Sequence, residues 1–149
     1  MTNHISNGSG ERISFMGMDL VWKLTNKLSS SLLTFVQIAP PDSAVPMHIH
    51  HNEDESIYLL EGELAFQVGE DKFEVKKGGT VYMPKGAAHG FRITGNTDAH
   101  ILFTLSISPE SRYEEMFEGL VGLSPENFDQ IDEVCGKNNV EFLIPPQVP

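Results

Sequence analysis

Pro46-Met47-His48-Ile49-His50-His51-Asn52-Glu53-Asp54-Glu55, together with Gly78-Gly79-Thr80-Val81-Tyr82-Met83-Pro84-Lys85-Gly86-Ala87-Ala88-His89, decides how this chain reads. In an extended strand, side chains two apart share a face, so His48 and His50 point together while Ile49 packs the other way and His51 turns outward. Glu55 begins the next strand after a polar turn, which returns its carboxylate toward the pair. In the second stretch a strand ends at Met83, Pro84 and Gly86 shape a tight loop, and His89 opens a further strand whose first side chain can face the same interior. Three neutral imidazoles and one carboxylate suit a single divalent ion of Fe, Mn, Ni, Co, Cu or Zn, and are too rich in nitrogen for Ca or Mg. Four protein ligands leave one or two positions open on a five- or six-coordinate ion.

Outward from these stretches the chain runs as short apolar or alternating segments, rich in β-branched and aromatic residues, with turn residues every eight to twelve positions. Strands are predicted over 12–16, 19–25, 31–38, 47–50, 56–60, 63–68, 72–75, 80–83, 90–94 and 100–107. With no long helix between them, they predict an all-β antiparallel sandwich or barrel. Gly62 and Gly69 sit where tight reversals demand positive φ. After Ser108 the periodicity changes. Pro109 and Glu110 suit a helix start, and Tyr113, Met116, Phe117 and Leu120 recur at helical spacing before Gly122. Ser124 as cap and Pro125 at the first position predict a second helix, with Phe128, Ile131 and Cys135 on one stripe up to Gly136. Residues 140–144 read as an extended tail packed back on the body. The organisation is thus a flexible lead-in over 1–10, a β domain over 11–108, and an acidic helical segment and tail over 109–149.

His48-x-His50-x4-Glu55-x6-Gly62 resembles the first motif of the cupin family, and Gly78-x5-Pro84-x-Gly86-x2-His89 resembles the second. Agreement at all eight positions by chance is on the order of one in a million. The resemblance covers roughly residues 30–107 and implies a single cupin (jelly-roll) antiparallel β-barrel with two short C-terminal helices. It also implies that His48, His50, Glu55 and His89 are the metal ligands. The lead-in strands and acidic helices are similar to the single-domain, quercetin-dioxygenase-like branch. Two positions depart from the pattern: Asp42 stands where the first motif opens with Gly, and Ile93 where the second ends with Asn. Asp42 is still a good turn residue, and Ile93 shares the strand parity of His89 and Phe91.

The resemblance implies a metal-dependent dioxygenase of a small enolic or phenolic substrate. Glu55 is then the general base, on the expectation that a buried carboxylate beside a cation is tuned toward neutral pH. Phe35, Met83, Phe91, Ile93 and Phe103 are candidates to line an apolar substrate pocket, set against an ordinary core role for each. The alternatives are a non-redox isomerase, lyase or decarboxylase of a small hydroxy- or keto-compound, or a non-catalytic small-molecule-binding cupin. Basic side chains inside the barrel would favour the former, but Lys85 and Arg92 look badly placed. Glu53 and Asp54 read as solvated turn residues, with a hydrogen bond to a ligand imidazole as the other reading. His51 reads as a rim residue, Tyr58 and Tyr82 as edge packing, Cys135 as a packed thiol, and His4 and His100 as structural.

Composition narrows the partners. The 149 residues carry a formal charge of −11, which repels phosphate backbones and anionic lipids, so neither nucleic acid nor a membrane is expected. Residues 109–149 hold nine acidic and two basic side chains, so most of the charge belongs to the helical segment, read as a solvated face or as a lid over the barrel mouth. A single cysteine and a polar start with no apolar run predict a cytoplasmic protein. A homodimer is expected, because cupin barrels commonly pair through edge strands and 31–38 looks like a long outer strand.

Overall fold

Alternating side chains build two antiparallel sheets in the computed structural model, which describes residues 3–149; the first two residues of the polar lead-in lie outside the described residues. The strands are β1 (Arg12–Phe15), β2 (Met18–Leu24), β3 (Leu32–Ala39), β4 (Ala44–His50), β5 (Glu55–Glu61), β6 (Glu63–Val68), β7 (Asp71–Lys76), β8 (Thr80–Met83), β9 (His89–Ile93) and β10 (Ala99–Ser106). Helices α1 (Tyr113–Leu120) and α2 (Phe128–Gly136) follow, then β11 (Val140–Phe142). One sheet has the order β1-β2-β3-β10-β5-β8 and the other β11-β4-β9-β6-β7. This is the jelly-roll arrangement, with the inner faces of both sheets sharing one apolar core. Among the described residues, strand pairing does not pass from one sheet to the other, so the expected barrel is a two-sheet sandwich.

Register explains how the site is assembled. Leu33 of β3 pairs with Leu105 of β10, which pairs with Glu55 of β5. The next inward row is Phe35–Phe103–Ile57 and the one beyond it Gln37–Ile101–Leu59. In the other sheet His48 pairs directly with His89, and the β4–β9 register slips by one residue between Val45 and His48. Pro46 lies inside that slip, where a residue without an N–H fits because the ladder is already broken. At Asp42 the chain adopts φ 67°, a left-handed turn that Asp tolerates better than most side chains. Glycine, with which the resembled motif opens, adopts that conformation without strain, and here Asp42 supplies it. Gly62 has no such substitute: at φ 97° an added Cβ would lie 2.8 Å from the Ala99 Cα.

Three expectations are corrected. β3 is not an edge, because it pairs with β2 on one side and β10 on the other. The sheet edges are β1, β8, β11 and β7. The first helix starts at Tyr113 and not at Pro109, because 108–112 is held by tertiary bonds: Ser111 Oγ donates to Glu53, Asn26 donates to the Ser111 carbonyl, and the Arg112 N–H donates to Asn138. The second helix starts at Phe128, because the Ser124 N–H and hydroxyl both turn onto Asn127 in a local turn. The tail behaves as expected, and β11 adds to the edge of β4, pairing Val140 with His50 and Phe142 with His48. No helix among the described residues is long and apolar enough to cross a membrane.

Candidate metal centre and its cavity

His48 and His50 on β4, Glu55 at the start of β5 and His89 at the start of β9 are all buried, and their ligand atoms lie within 4.8 Å of one another. The cluster therefore spans both sheets: three imidazoles from one and the carboxylate from the other. His48 Nε2 is 3.2 Å from His50 Nε2, and Glu55 Oε2 is 3.2 Å from His50 Nε2 and 3.1 Å from His89 Nε2. The outward ring nitrogens fix the tautomers. His48 Nδ1–H donates to the Pro46 carbonyl at 2.8 Å, and His89 Nδ1–H to the Ala87 carbonyl at 3.1 Å. Each ring then turns an unprotonated Nε2 inward. Lone pairs and a carboxylate oxygen facing one another at hydrogen-bond distance repel unless a cation lies among them, so the donor set fits a divalent transition metal.

Electrostatics agree with that state. Burial pushes the His48 imidazole well below its ordinary value, reinforced by His89 and His50 nearby, and burial lowers His50 too. Burial alone would raise the Glu55 carboxyl, but the imidazoles of His50, His89 and His48 outweigh it and hold it at about 2. At neutral pH Glu55 is ionised while His48 and His50 are neutral. This corrects the expectation of a carboxylate tuned toward neutral pH: Glu55 is held well below that range.

His50 is oriented from further away. Its Nδ1–H donates to the Tyr113 hydroxyl at 2.7 Å, and that hydroxyl donates in turn to Glu53 Oε2 at 2.7 Å. Ser111 Oγ holds the other Glu53 oxygen at 2.8 Å. Glu53 is only 2% exposed, so it is not the solvated turn residue its neighbours suggest. Burial, and then the hydrogen bond to Glu53 and its charge, raise the Tyr113 hydroxyl far above its ordinary value, which keeps it a donor. A carboxylate thus reaches a ligand imidazole through a tyrosine, the outer support that metal-binding histidines commonly carry. Asp54 instead accepts the Lys85 N–H, and His51 is exposed on Glu141.

The cluster opens on a cavity of about 480 Å³. Phe35, Met83, Phe91 and Phe103 line it, as does Gln37; Ile93 is fully buried in the core and is not part of the lining. Phe35 and Phe103 stack at 4.9 Å between centroids with a 14° interplanar angle. The N-terminal strands add Phe15 and Met18, the β3–β4 turn adds Asp42 and Ser43, and much of the remaining wall comes from the C-terminal segment, including Met116, Phe117 and Leu120 of α1 and Phe128, Ile131 and Cys135 of α2. The helices therefore present their apolar stripe to the cavity and their acidic side to solvent. Among the described residues, no Lys or Arg lines the cavity: Arg92 faces away and donates to the Pro149 carbonyl, and Lys85 is exposed. Tyr58 and Tyr82 lie on the outer face. Burial, with the charge of Asp132, raises the Cys135 thiol to about 12, in keeping with a packed thiol.

Sequence reasoning brought the four ligands together, gave Glu53 a link to a ligand imidazole only as its second reading, and missed Tyr113 and Gln37. Gln37 alone had a local signal, an amide at the inward parity of Leu33 and Phe35.

Comparison with known proteins adds family context. The cupin-domain family matches residues 34–105. An uncharacterised protein of Methanocaldococcus jannaschii is 38% identical over 65 residues, 44% of this chain and 52% of that protein. An oxalate-binding protein of Thermotoga maritima is 36% identical over 63 residues, 42% of this chain and 52% of its own length. The match thus spans about half of each curated relative. The solved structure of a predicted oxalate decarboxylase from Thermotoga maritima superposes with a TM-score of 0.61 and 28% identity, over 72% of this chain and 99% of that one.

Proposed function

The chain belongs to the cupin family, and from that premise we propose that it is a metal-dependent dioxygenase of a small enolic or phenolic substrate with an aromatic body. The observation that carries the reading is the four-ligand cluster opening on an apolar, phenylalanine-walled cavity without a cationic side chain among the described residues. A divalent transition metal held by His48, His50, Glu55 and His89 would supply Lewis acidity toward an enol or phenol and an electron path to dioxygen. His48 and His50, neutral at working pH, keep their lone pairs available. Glu55, already ionised, accepts the proton of the substrate hydroxyl at a carboxylate oxygen; as a weak base it relies on a substrate made more acidic in the site. Phe35, Phe91 and Phe103 hold the ring, and with Met83 they exclude water from an electron-rich carbon framework. The reading includes a homodimer, joined through the free edge strand β8, where Tyr82 is 59% exposed and the neighbouring Tyr58 46%.

A second reading has a specific observation in its favour. The oxalate-binding relative and the decarboxylase neighbour support a small hydroxy- or keto-acid, turned over without redox chemistry or simply bound. The same cavity argues against it, because a dianion there would meet apolar walls and no Lys or Arg among the described residues. Oxygen uptake by metal-loaded protein with ortho-diphenols, 3-hydroxychromones and β-diketone enols separates the two. The proposal predicts uptake with one class, incorporation of both atoms of labelled dioxygen, and loss of uptake in Glu55→Gln. No uptake with any class, alongside carbon dioxide release from a keto- or dicarboxylic acid, would overturn it.

A further inference from the structure

Among the described residues, Gln37 is the one carboxamide in the cavity lining, and it is 5% exposed. Its side-chain nitrogen donates to Met18 Sδ at 3.0 Å, a weak acceptor, and since no buried side-chain oxygen or nitrogen among the described residues lacks a partner, its amide oxygen, which meets no protein donor, is open to the cavity. A carboxamide set in a stretch of apolar cavity wall, with its oxygen open to the cavity and a thioether as its nitrogen's acceptor, is placed to hydrogen-bond a polar group of an occupant. No backbone feature accounts for it: Gln37 lies in the regular part of β3, paired with Leu20 and Ile101, where an apolar residue would continue the inward face of Leu33 and Phe35.

Position fixes what that occupant looks like. The Gln37 row lies four residues along the sheet from the row containing Glu55, and the Phe35–Phe103 row lies between them. At the rise of a β-strand the separation along the strands is roughly 13 Å. A molecule whose oxygen reaches the metal cluster must therefore cross the stacked phenylalanines before it meets the amide, which calls for a flat body of about two fused rings.

We propose that Gln37 is a specificity-determining residue, which hydrogen-bonds a hydroxyl or carbonyl at the end of an aromatic substrate remote from the metal-binding oxygens. The inference rests on the aromatic-substrate reading above and narrows it to molecules with polar groups at both ends. Zinc-loaded protein, which is redox-inert, is titrated calorimetrically with naphthalene-2,3-diol, naphthalene-2,3,6-triol and 6-methylnaphthalene-2,3-diol. The triol binds about tenfold more tightly than the diol, the methyl compound binds like the diol, and in Gln37→Met the preference for the triol falls to about one. Thermal melting establishes that the variant is folded, and the methyl compound keeps the test decisive on the wild-type protein alone. Equal binding of all three probes, a methyl compound as tight as the triol, or a triol preference that persists in Gln37→Met would overturn the role of Gln37 and leave the aromatic reading standing. Failure of every probe to bind zinc-loaded protein would overturn both.

Discussion

The imidazole of His50 takes its orientation from a tyrosine 63 residues downstream, and that tyrosine is held by a carboxylate two positions before Glu55. Removing the Tyr113 hydroxyl leaves the His50 Nδ1–H and the Glu53 carboxylate short of a partner in a buried site. We predict that Tyr113→Phe weakens zinc or manganese binding by about 10–100-fold with the fold retained, measured by competition with a chromogenic chelator. Unchanged affinity would show that the tyrosine only packs. Cys135 gives a second residue-level test. Its folded thiol holds the proton from the ordinary 9.0 up to about 12, so native protein reacts with a disulfide reagent at pH 8 about 100-fold or more slowly than unfolded protein. The linkage sign follows: between those values the unfolded chain has lost a proton that the folded one keeps, so stability falls as pH rises from 9.0 toward 12. A rate equal to that of unfolded protein would contradict the burial. The ligands were legible because strand parity and short spacing place them together. Glu53 was not, because a carboxylate between Asn52 and Asp54 reads as solvated, and its two partners are 58 and 60 residues away.

Strands β4 and β9 approach so closely beside the cluster that only glycine fits at Gly90. An added Cβ would stand 2.8 Å from the Val45 carbonyl oxygen and 3.0 Å from the Met47 nitrogen, and neither backbone atom can swing away. Gly90→Ala is therefore predicted to lose about 1–3 kcal/mol in urea unfolding and, by moving His89 next to it, to weaken metal binding. Wild-type stability and affinity together would contradict the register. At this scale the sequence placed nearly every strand, since alternation and turn glycines are local signals. It opened β4 late: strand prediction stopped at Met47, while the structure runs back to Ala44 through a bulge that tolerates Pro46. Both helix starts came too early: bonds from Glu53, Asn26 and Asn138 hold 108–112 in place of the first helical turn that Pro109 would otherwise open, and Asn127 draws Ser124 into a local turn ahead of the second helix. The amphipathic stripe itself was visible, but what it covers was not; periodicity reports a buried face without naming the cavity beneath it.

Across the whole molecule, the charge of −11 resolves into an acidic outer side on the two helices and an inner cavity whose ligand set includes one carboxylate, Glu55. The metal centre joins three side chains of one sheet to a fourth of the other, so an ion bound there ties the two layers together above the core. The four free sheet edges also bear on assembly. Sedimentation equilibrium at micromolar concentration is predicted to give twice the 16.5 kDa chain mass, reduced to the monomer by Tyr82→Lys on β8; a wild-type monomer would contradict the dimer. The central claim is that His48, His50, Glu55 and His89 hold one transition-metal ion, and elemental analysis of protein purified without chelators or added metal tests it most directly, with His89→Ala carried in parallel. Close to one transition-metal ion per wild-type chain and strong depletion in His89→Ala is the predicted result. Full occupancy in the variant, or a folded wild-type protein without transition metal that takes none up on dialysis, would contradict it.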